Sequence, residues 1–177
     1  MSIKKNIFLT GERRVGKSTL LNKLLDGSSF SVAGFKTLPH FSGDERDGFY
    51  FQSMLNGEAD LNCHFISRKT SQNAWLSVTE TFENQGVENL KKSLKAKPDI
   101  ILMDELGFLE SQALNFQKHV KQCLDSTIPV LGVIKLFRTP FLDSIRERKD
   151  VNIIEVTPLN REKIYDFLVG YLQIKKG

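Results

Sequence analysis

KNIFLTGERRVGKSTL, residues 5–20, joins an apolar run of strand length to a helical stripe through two glycines and a lysine. Lys5 to Thr10 predicts a short buried strand that ends at Gly11. From Lys17 to Asp26, Leu20, Leu21, Leu24 and Leu25 fall on one helical face, and Asp26-Gly27 marks its stop. Between them, Gly11 to Ser18 satisfies G-x-x-x-x-G-K-[ST], the P-loop pattern. Gly11 and Gly16 let the backbone close on phosphate oxygens where a Cβ would collide. Successive N–H groups then point at the anion from the positive end of a helix. Lys17 is placed to reach the β- and γ-phosphates, and the Ser18 hydroxyl to take a Mg²⁺ position. The predicted ligand is a nucleoside triphosphate, ATP, GTP or another, with Mg²⁺. Its cradle runs through Gly11, Glu12, Arg13, Arg14, Val15, Gly16, Lys17, Ser18 and Thr19. Chance would meet the four constrained positions in roughly one chain of this length in a hundred, and the strand-loop-helix context lowers that further.

Outward from this loop, residues 30–68 change character. Phe30 to Thr37, Gly48 to Leu55 and Asn62 to Arg68 are rich in Phe, Val, Ile and Tyr, with turns at Ser42-Gly43-Asp44 and Asn56-Gly57-Glu58. They predict a β-meander inserted after the first helix. Thr79 to Ala96 predicts one or two helices interrupted near Gly86, buried through Val87, Leu90 and Leu94. Asp99 to Met103, Pro129 to Ile134 and Asn152 to Val156 predict strands, the first two continuous apolar runs of the kind covered on both faces. Helices are expected over Ser111 to Leu124, around Phe141, Leu142 and Ile145, and over Leu159 to Gln173. Alternating strands and helices argue an α/β chain with a mostly parallel sheet, helices on both faces and a single domain.

Asp104 and Glu105 follow the apolar strand directly, at the carboxyl end where open α/β sheets bind ligands. Two acids there also suit a helix N-terminus. Beside a P-loop, Asp104 is expected to hold Mg²⁺ and Glu105 to orient or deprotonate an attacking water. Breaking the γ-phosphoryl bond calls for a cation as well. The candidates are Arg13, Arg14, Lys135, Arg138, Arg146 and Arg148, with Arg148 and Arg138 foremost.

Composition bounds these readings. The 177 residues, 40% hydrophobic and 26% charged, suit one globular domain, and no run is long enough to span a bilayer. No apolar leader follows Lys4 and Lys5, so a cytoplasmic protein with no membrane partner is expected. Cys63-His64 lacks companions at metal-ligand spacing. A net charge of +4, with a lysine run at Lys91, Lys92, Lys95 and Lys97 and a Lys175-Lys176 tail, reads as solvated surface, and no nucleic-acid partner is expected.

With these stretches in place, the chain resembles the small P-loop nucleoside-triphosphatases represented by the thermophilic enzyme and the human cancer-related one. The resemblance is carried by NIFLTGERRVGKSTL, by Gly34-Phe35-x-Thr37, by Gly48-Phe49, by ILMDELGFLE, by PVLGVI and by RKDVNIIEVTPLNRE. It implies a RecA-like member of the P-loop class with extra strands, hydrolysing nucleoside triphosphates with broad base tolerance. It gives Glu105 the catalytic acid's role and makes Glu110 a supporting residue. Asn160 and Arg161 fall where a base or ribose could be met, or simply start a helix after Pro158. Two departures stand out. Arg14 occupies a position commonly glycine or another small residue. Ser71-Gln72-Asn73-Ala74-Trp75 replaces an R-V-G-x-Y stretch, losing an arginine for which Arg68 or Lys69 could substitute.

Other functions share some of these features. A GTP switch would use Asp104-Glu105-Leu106-Gly107 as D-x-x-G, but Ser18 and Asp104 are too far apart in sequence and no N-K-x-D follows a later strand. A nucleotide or small-molecule kinase would use Phe137 to Arg148 as an arginine-rich lid and the meander for its acceptor. A non-catalytic nucleotide-binding regulator would present Phe41, Phe49, Tyr50 and Phe51 to a partner, unless these pack in the core.

Overall fold

The computed structural model describes residues 4–26, 28–55 and 64–176. The Asn56-Gly57-Glu58 turn and Cys63 lie outside the described residues, as do the side chains of Lys175 and Lys176. Strand β1 (Asn6–Thr10) runs through the P-loop into α1 (Lys17–Asp26). Four strands follow: β2 (Val32–Ser42), β3 (Glu45–Ser53), β4 (His64–Lys69) and β5 (Trp75–Ser77). A helical run comprises α2 (Thr79–Thr81), a π-turn (Phe82–Gly86) and α3 (Val87–Ala96). Then come β6 (Ile100–Leu106), α4 (Leu114–Asp125), β7 (Val130–Ile134), α5 (Pro140–Arg146), β8 (Val151–Glu155) and α6 (Arg161–Lys176).

All eight strands form one sheet in the order β5-β4-β3-β2-β6-β7-β1-β8. From β2 through β6, β7 and β1 to β8 the pairing is parallel, and from β2 outward through β3 and β4 to β5 it is antiparallel. The meander is thus built into the sheet, with β2 serving both halves. Period-two alternation splits each parallel strand between two cores. Ile7, Leu9, Ile100, Leu102, Leu131 and Val133 meet α1 and α6 on one face. Phe8, Ile101, Met103, Val130 and Ile134 meet α3, α4 and α5 on the other. Truncating a fully buried ring such as Phe8 would cost about 3–5 kcal/mol.

Two local features depart from the expected elements. The interruption near Gly86 is a π-turn within a continuous helical run, where Gly86 sits so close to the Phe116 ring that a Cβ would come within 2.7 Å of it. Strand β2 continues to Ser42, five residues beyond the expected end at Thr37, and passes through Pro39. Its pairing with β6 stops at Lys36↔Asp104, so Pro39 has no neighbour on that side that needs its missing N–H. Gly34 makes the β2–β6 approach possible: it has φ 101°, and a Cβ there would lie 2.0 Å from the Leu102 carbonyl oxygen. The hairpin of Thr37–Ser42 with β3 therefore projects past the carboxyl edge of the parallel strands.

Phe51 is buried, Phe49 packs against the core and Phe35 stacks on Phe51 at 4.8 Å, leaving Phe41 as the mostly exposed phenylalanine of the meander. On the last helix Ile164, Leu168 and Tyr171 are buried, while Phe167 is 36% exposed. Lys91, Lys92, Lys95 and Lys97 are exposed on α3 and its cap. Among the described residues no helix is long and apolar enough to cross a membrane, and no cluster of His, Cys, Asp and Glu suits a metal ion by itself.

Candidate active site

The P-loop leaves β1 at the carboxyl edge with Gly11 at φ 128°, where a Cβ would approach the Val156 carbonyl oxygen to 2.5 Å. The loop thus lies against the end of β8, a contact only glycine allows. Arg14 adopts φ 63°. A glycine would take this left-handed backbone without the strain that a side chain brings. The Lys17 ammonium donates to the carbonyl oxygens of Gly11 (2.8 Å) and Glu12 (2.7 Å). Burial lowers its affinity for its proton, while the carboxylates of Glu105 and Asp104 oppose that shift.

Ser18 at the start of α1 meets Asp104 of β6: its Oγ donates to Oδ1 at 3.0 Å. Asp104 is buried, and burial pushes its carboxyl up to about 6; the Ser18 hydrogen bond opposes the shift, Glu105 adds to it, and Lys36 and Lys17 oppose it. A hydroxyl and a carboxylate in contact are hard oxygen donors, and a buried acid raised this far is short of positive charge. Both properties fit a Mg²⁺ that takes most of its remaining ligands from phosphate and water.

The β6–β7 register shifts between Asp104 and Leu106, so Glu105 stands out of the regular ladder. Its Oε1 lies 2.7 Å from Lys135 Nζ, the first residue after β7. Lys135 is held in turn through its carbonyl oxygen, which accepts from Arg146. Beyond Glu105 the chain turns around Glu110, whose buried carboxylate accepts the Gly107 N–H. Burial pushes Glu110 up to about 7, against the pull of the Gly107 and Glu110 backbone N–H groups and of Lys135.

Lys17, Ser18, Asp104 and Glu105 therefore lie together at the carboxyl edge. Arg161 also reaches the loop, with Nη1 3.4 Å from where a Gly16 Cβ would be. Asn160 does not face a ligand: its Oδ1 accepts from Thr157 N at 2.8 Å and its Nδ2 donates to the Glu155 carbonyl at 2.9 Å, which shapes the turn into α6. Glu12, Arg13, Arg14 and Thr19 are exposed on and beside the loop, and Val15 is half-buried.

Arg148 corrects the expected set of cations. It donates to Asp150 Oδ1 and Oδ2 and to Asp125 Oδ1, each at 2.8 Å. Asp150 leads into β8 and accepts from Asn6 at the start of β1, so this network lies at the amino edge of the sheet. A strand of five residues, about 3.3 Å each, separates it from the P-loop. Arg138 is on the carboxyl side but exposed and paired with Asp143 at 3.1 Å. Arg68 lies over the Phe65 ring at 3.9 Å and Lys69 pairs with Glu45 at 3.9 Å. Lys135 carried a signal in the sequence, since it follows β7 as Asp104 follows the apolar run of β6. Lys36 and Arg46 carried none, because only the β2–β6 register brings the first here and only the β2–β3 register the second.

Similarity to other proteins runs through the whole chain. A family model described as NTPase matches residues 6–169. The nucleoside-triphosphatase THEP1 of Thermotoga maritima is 29% identical over 171 residues, covering 97% of each chain. That of Natranaerobius thermophilus is 30% identical over 178 residues, covering 95% of this chain and 96% of its own. The crystal structure of THEP1 from Aquifex aeolicus matches with a TM-score of 0.75 at 25% identity, over 95% of this chain and 99% of that one. The solution structure of a human cancer-related nucleoside triphosphatase matches with a TM-score of 0.72 at 26% identity, over 96% and 97%.

Proposed function

The chain belongs to the NTPase family, and from that premise we propose that it hydrolyses nucleoside triphosphates to the diphosphate and phosphate, with Glu105 activating the water. The observation that carries the reading is the Glu105 carboxylate, set beside Lys135 at 2.7 Å on the edge where Lys17 and Ser18 open α1. The phosphates lie along the P-loop amides and Lys17, which takes up the β,γ charge. Ser18 and Asp104, already in contact at 3.0 Å, are the residues that would hold Mg²⁺. When bound, that cation neutralises phosphate charge. Glu105 orients a water and accepts its proton as the oxygen bonds to the γ-phosphorus and the bond to the β,γ-bridging oxygen breaks. Lys135, 2.7 Å away, aims the Glu105 carboxylate.

Base tolerance follows from what the neighbouring side chains already do. Asn160 is committed to its own turn, and Arg161 lies against Gly16 of the phosphate loop. A kinase lid is disfavoured because Phe141, Leu142 and Ile145 fasten α5 into the core and the arginines around it are paired with acids. Phosphate release from ATP, GTP, CTP and UTP with Mg²⁺ tests the reading. Turnover of several triphosphates that collapses in Glu105→Gln and Lys17→Ala is expected. Tight binding without phosphate release would sink it.

A further inference from the structure

We propose that Arg46, brought to the site by the β2–β3 hairpin, contacts the terminal phosphates of the bound triphosphate and supplies the cation that stabilises their charge during bond breaking. This rests on the hydrolase reading above. Past Lys36↔Asp104, β2 continues with β3 alone, and Arg46 pairs with Phe41 on the projecting part. Each residue advances about 3.3 Å, so the hairpin reaches well beyond the carboxylates of β6 on the side where the P-loop lies.

Three observations set Arg46 apart. Its guanidinium lies over two rings, Phe49 at 5.0 Å and Trp75 at 5.5 Å, which hold it in place from a strand pair separate from the loop. Its Nε is buried and has no hydrogen-bond acceptor. Its surroundings are positive: burial and the like charges of Arg13 and Arg14 lower its affinity for its proton. Among the described residues no carboxylate pairs with Arg13, Arg14 or Arg46, whereas Arg138, Arg146 and Arg148 each have one. Three unpaired guanidinium groups from two elements repel one another until an anion comes between them. A polyphosphate on the P-loop is that anion, and a planar guanidinium suits its oxygens. Trp75, at the start of β5, thus serves as a support for Arg46.

The test uses Arg46→Lys and Arg46→Met, the latter keeping an unbranched stem against the two rings, together with the emission of Trp75, the single tryptophan. Wild-type turnover comes first: its absence would defeat the hydrolase reading itself. Given turnover, Arg46→Met should lose roughly 10²–10³-fold in kcat, with the melting temperature and ADP affinity near wild type and Arg46→Lys in between. A non-hydrolysable triphosphate with Mg²⁺ should change Trp75 emission more than ADP does, and Arg46→Met should abolish the difference. Turnover within about threefold of wild type would overturn the assignment. So would equal losses of ADP and triphosphate affinity, which mark a merely structural hairpin.

Discussion

The two edges of the parallel sheet carry similar charged groups put to opposite uses. At the amino edge, Arg148 is shared between Asp125 and Asp150, Asp150 also holds Asn6, and Asn6 Oδ1 accepts the Val130 N–H. The Arg148 guanidinium there has two carboxylates as partners. At the carboxyl edge, Arg13 and Arg14 add like charge to the surroundings of Arg46, Thr10 Oγ1 and Thr37 Oγ1 are buried without partners, and Asp104 is pushed upward. Groups that satisfy one another hold strands together. Groups left in mutual conflict are matched to something the chain itself does not contain.

The sharpest break between the edges is expected in turnover. Glu105→Gln keeps shape but cannot take a proton, and Lys17→Ala removes the phosphate cation. Each should lower kcat by roughly 10²–10⁴-fold, read by steady-state phosphate release, with the melting temperature moving by no more than a few degrees.

Titration separates the edges next. Glu110 holds its proton more tightly folded than unfolded, with its carboxyl at about 7 against an ordinary 4.5. The folded state therefore binds more protons between those values, so stability falls as pH rises from about 4.5 to about 7 and levels off above. The whole effect is at most roughly 3 kcal/mol. Asp150 shifts the other way, because its hydrogen bonds from Arg148 lower it, and its contribution disappears only as pH falls below the ordinary carboxylate range. Denaturant unfolding of Glu110→Gln should lose the slope between about pH 6 and 7 and keep the one below about 6, where Asp104 also titrates. A slope above about pH 6 that survives the substitution would locate that titration elsewhere.

Third in size is Arg148→Ala. Losing hydrogen bonds to two acids, one of them largely exposed, should cost roughly 2 kcal/mol and lower the melting temperature by about 4–8 °C. kcat should be unchanged within about twofold. A large loss of kcat at unaltered stability would return Arg148 to the site.

These edges differ in how far sequence can disclose them. β1, the P-loop, α1, β6 and β7 were legible because their signals are local: apolar runs, a helical stripe and a spaced motif. The Ser18–Asp104 pairing was legible for the same reason, since Ser18 belongs to the spaced motif and Asp104 closes the apolar run of β6. Residues 37–42 were not, because an antiparallel hairpin that leaves the sheet needs no continuous apolar run and tolerates Pro39. β5, three exposed residues long, has no pattern to read. The fate of an arginine is the least local property of all. Arg148 and Arg138 look alike in sequence, and only the turn after α5 sends one to the amino edge. Arg46 is assigned its neighbours by a register that no spacing within the chain records.

The smallest effect expected is the most telling about the carboxyl edge. Arg14 holds φ 63°, a conformation costing a side-chain-bearing residue about 1 kcal/mol. Arg14→Gly removes that strain, together with one of three mutually repelling charges, and gives back part of the gain through the greater freedom of the unfolded chain. Net stability should rise by about 0.5–1 kcal/mol, seen as a higher midpoint in denaturant at unchanged slope. The same substitution takes a cation from beside the phosphates, so KM for the triphosphate should rise a few-fold while kcat changes little. Stability and affinity moving in opposite directions is what a loop built for a polyanion requires. Had Arg14 been serving the fold, as Arg148 does, both would fall together.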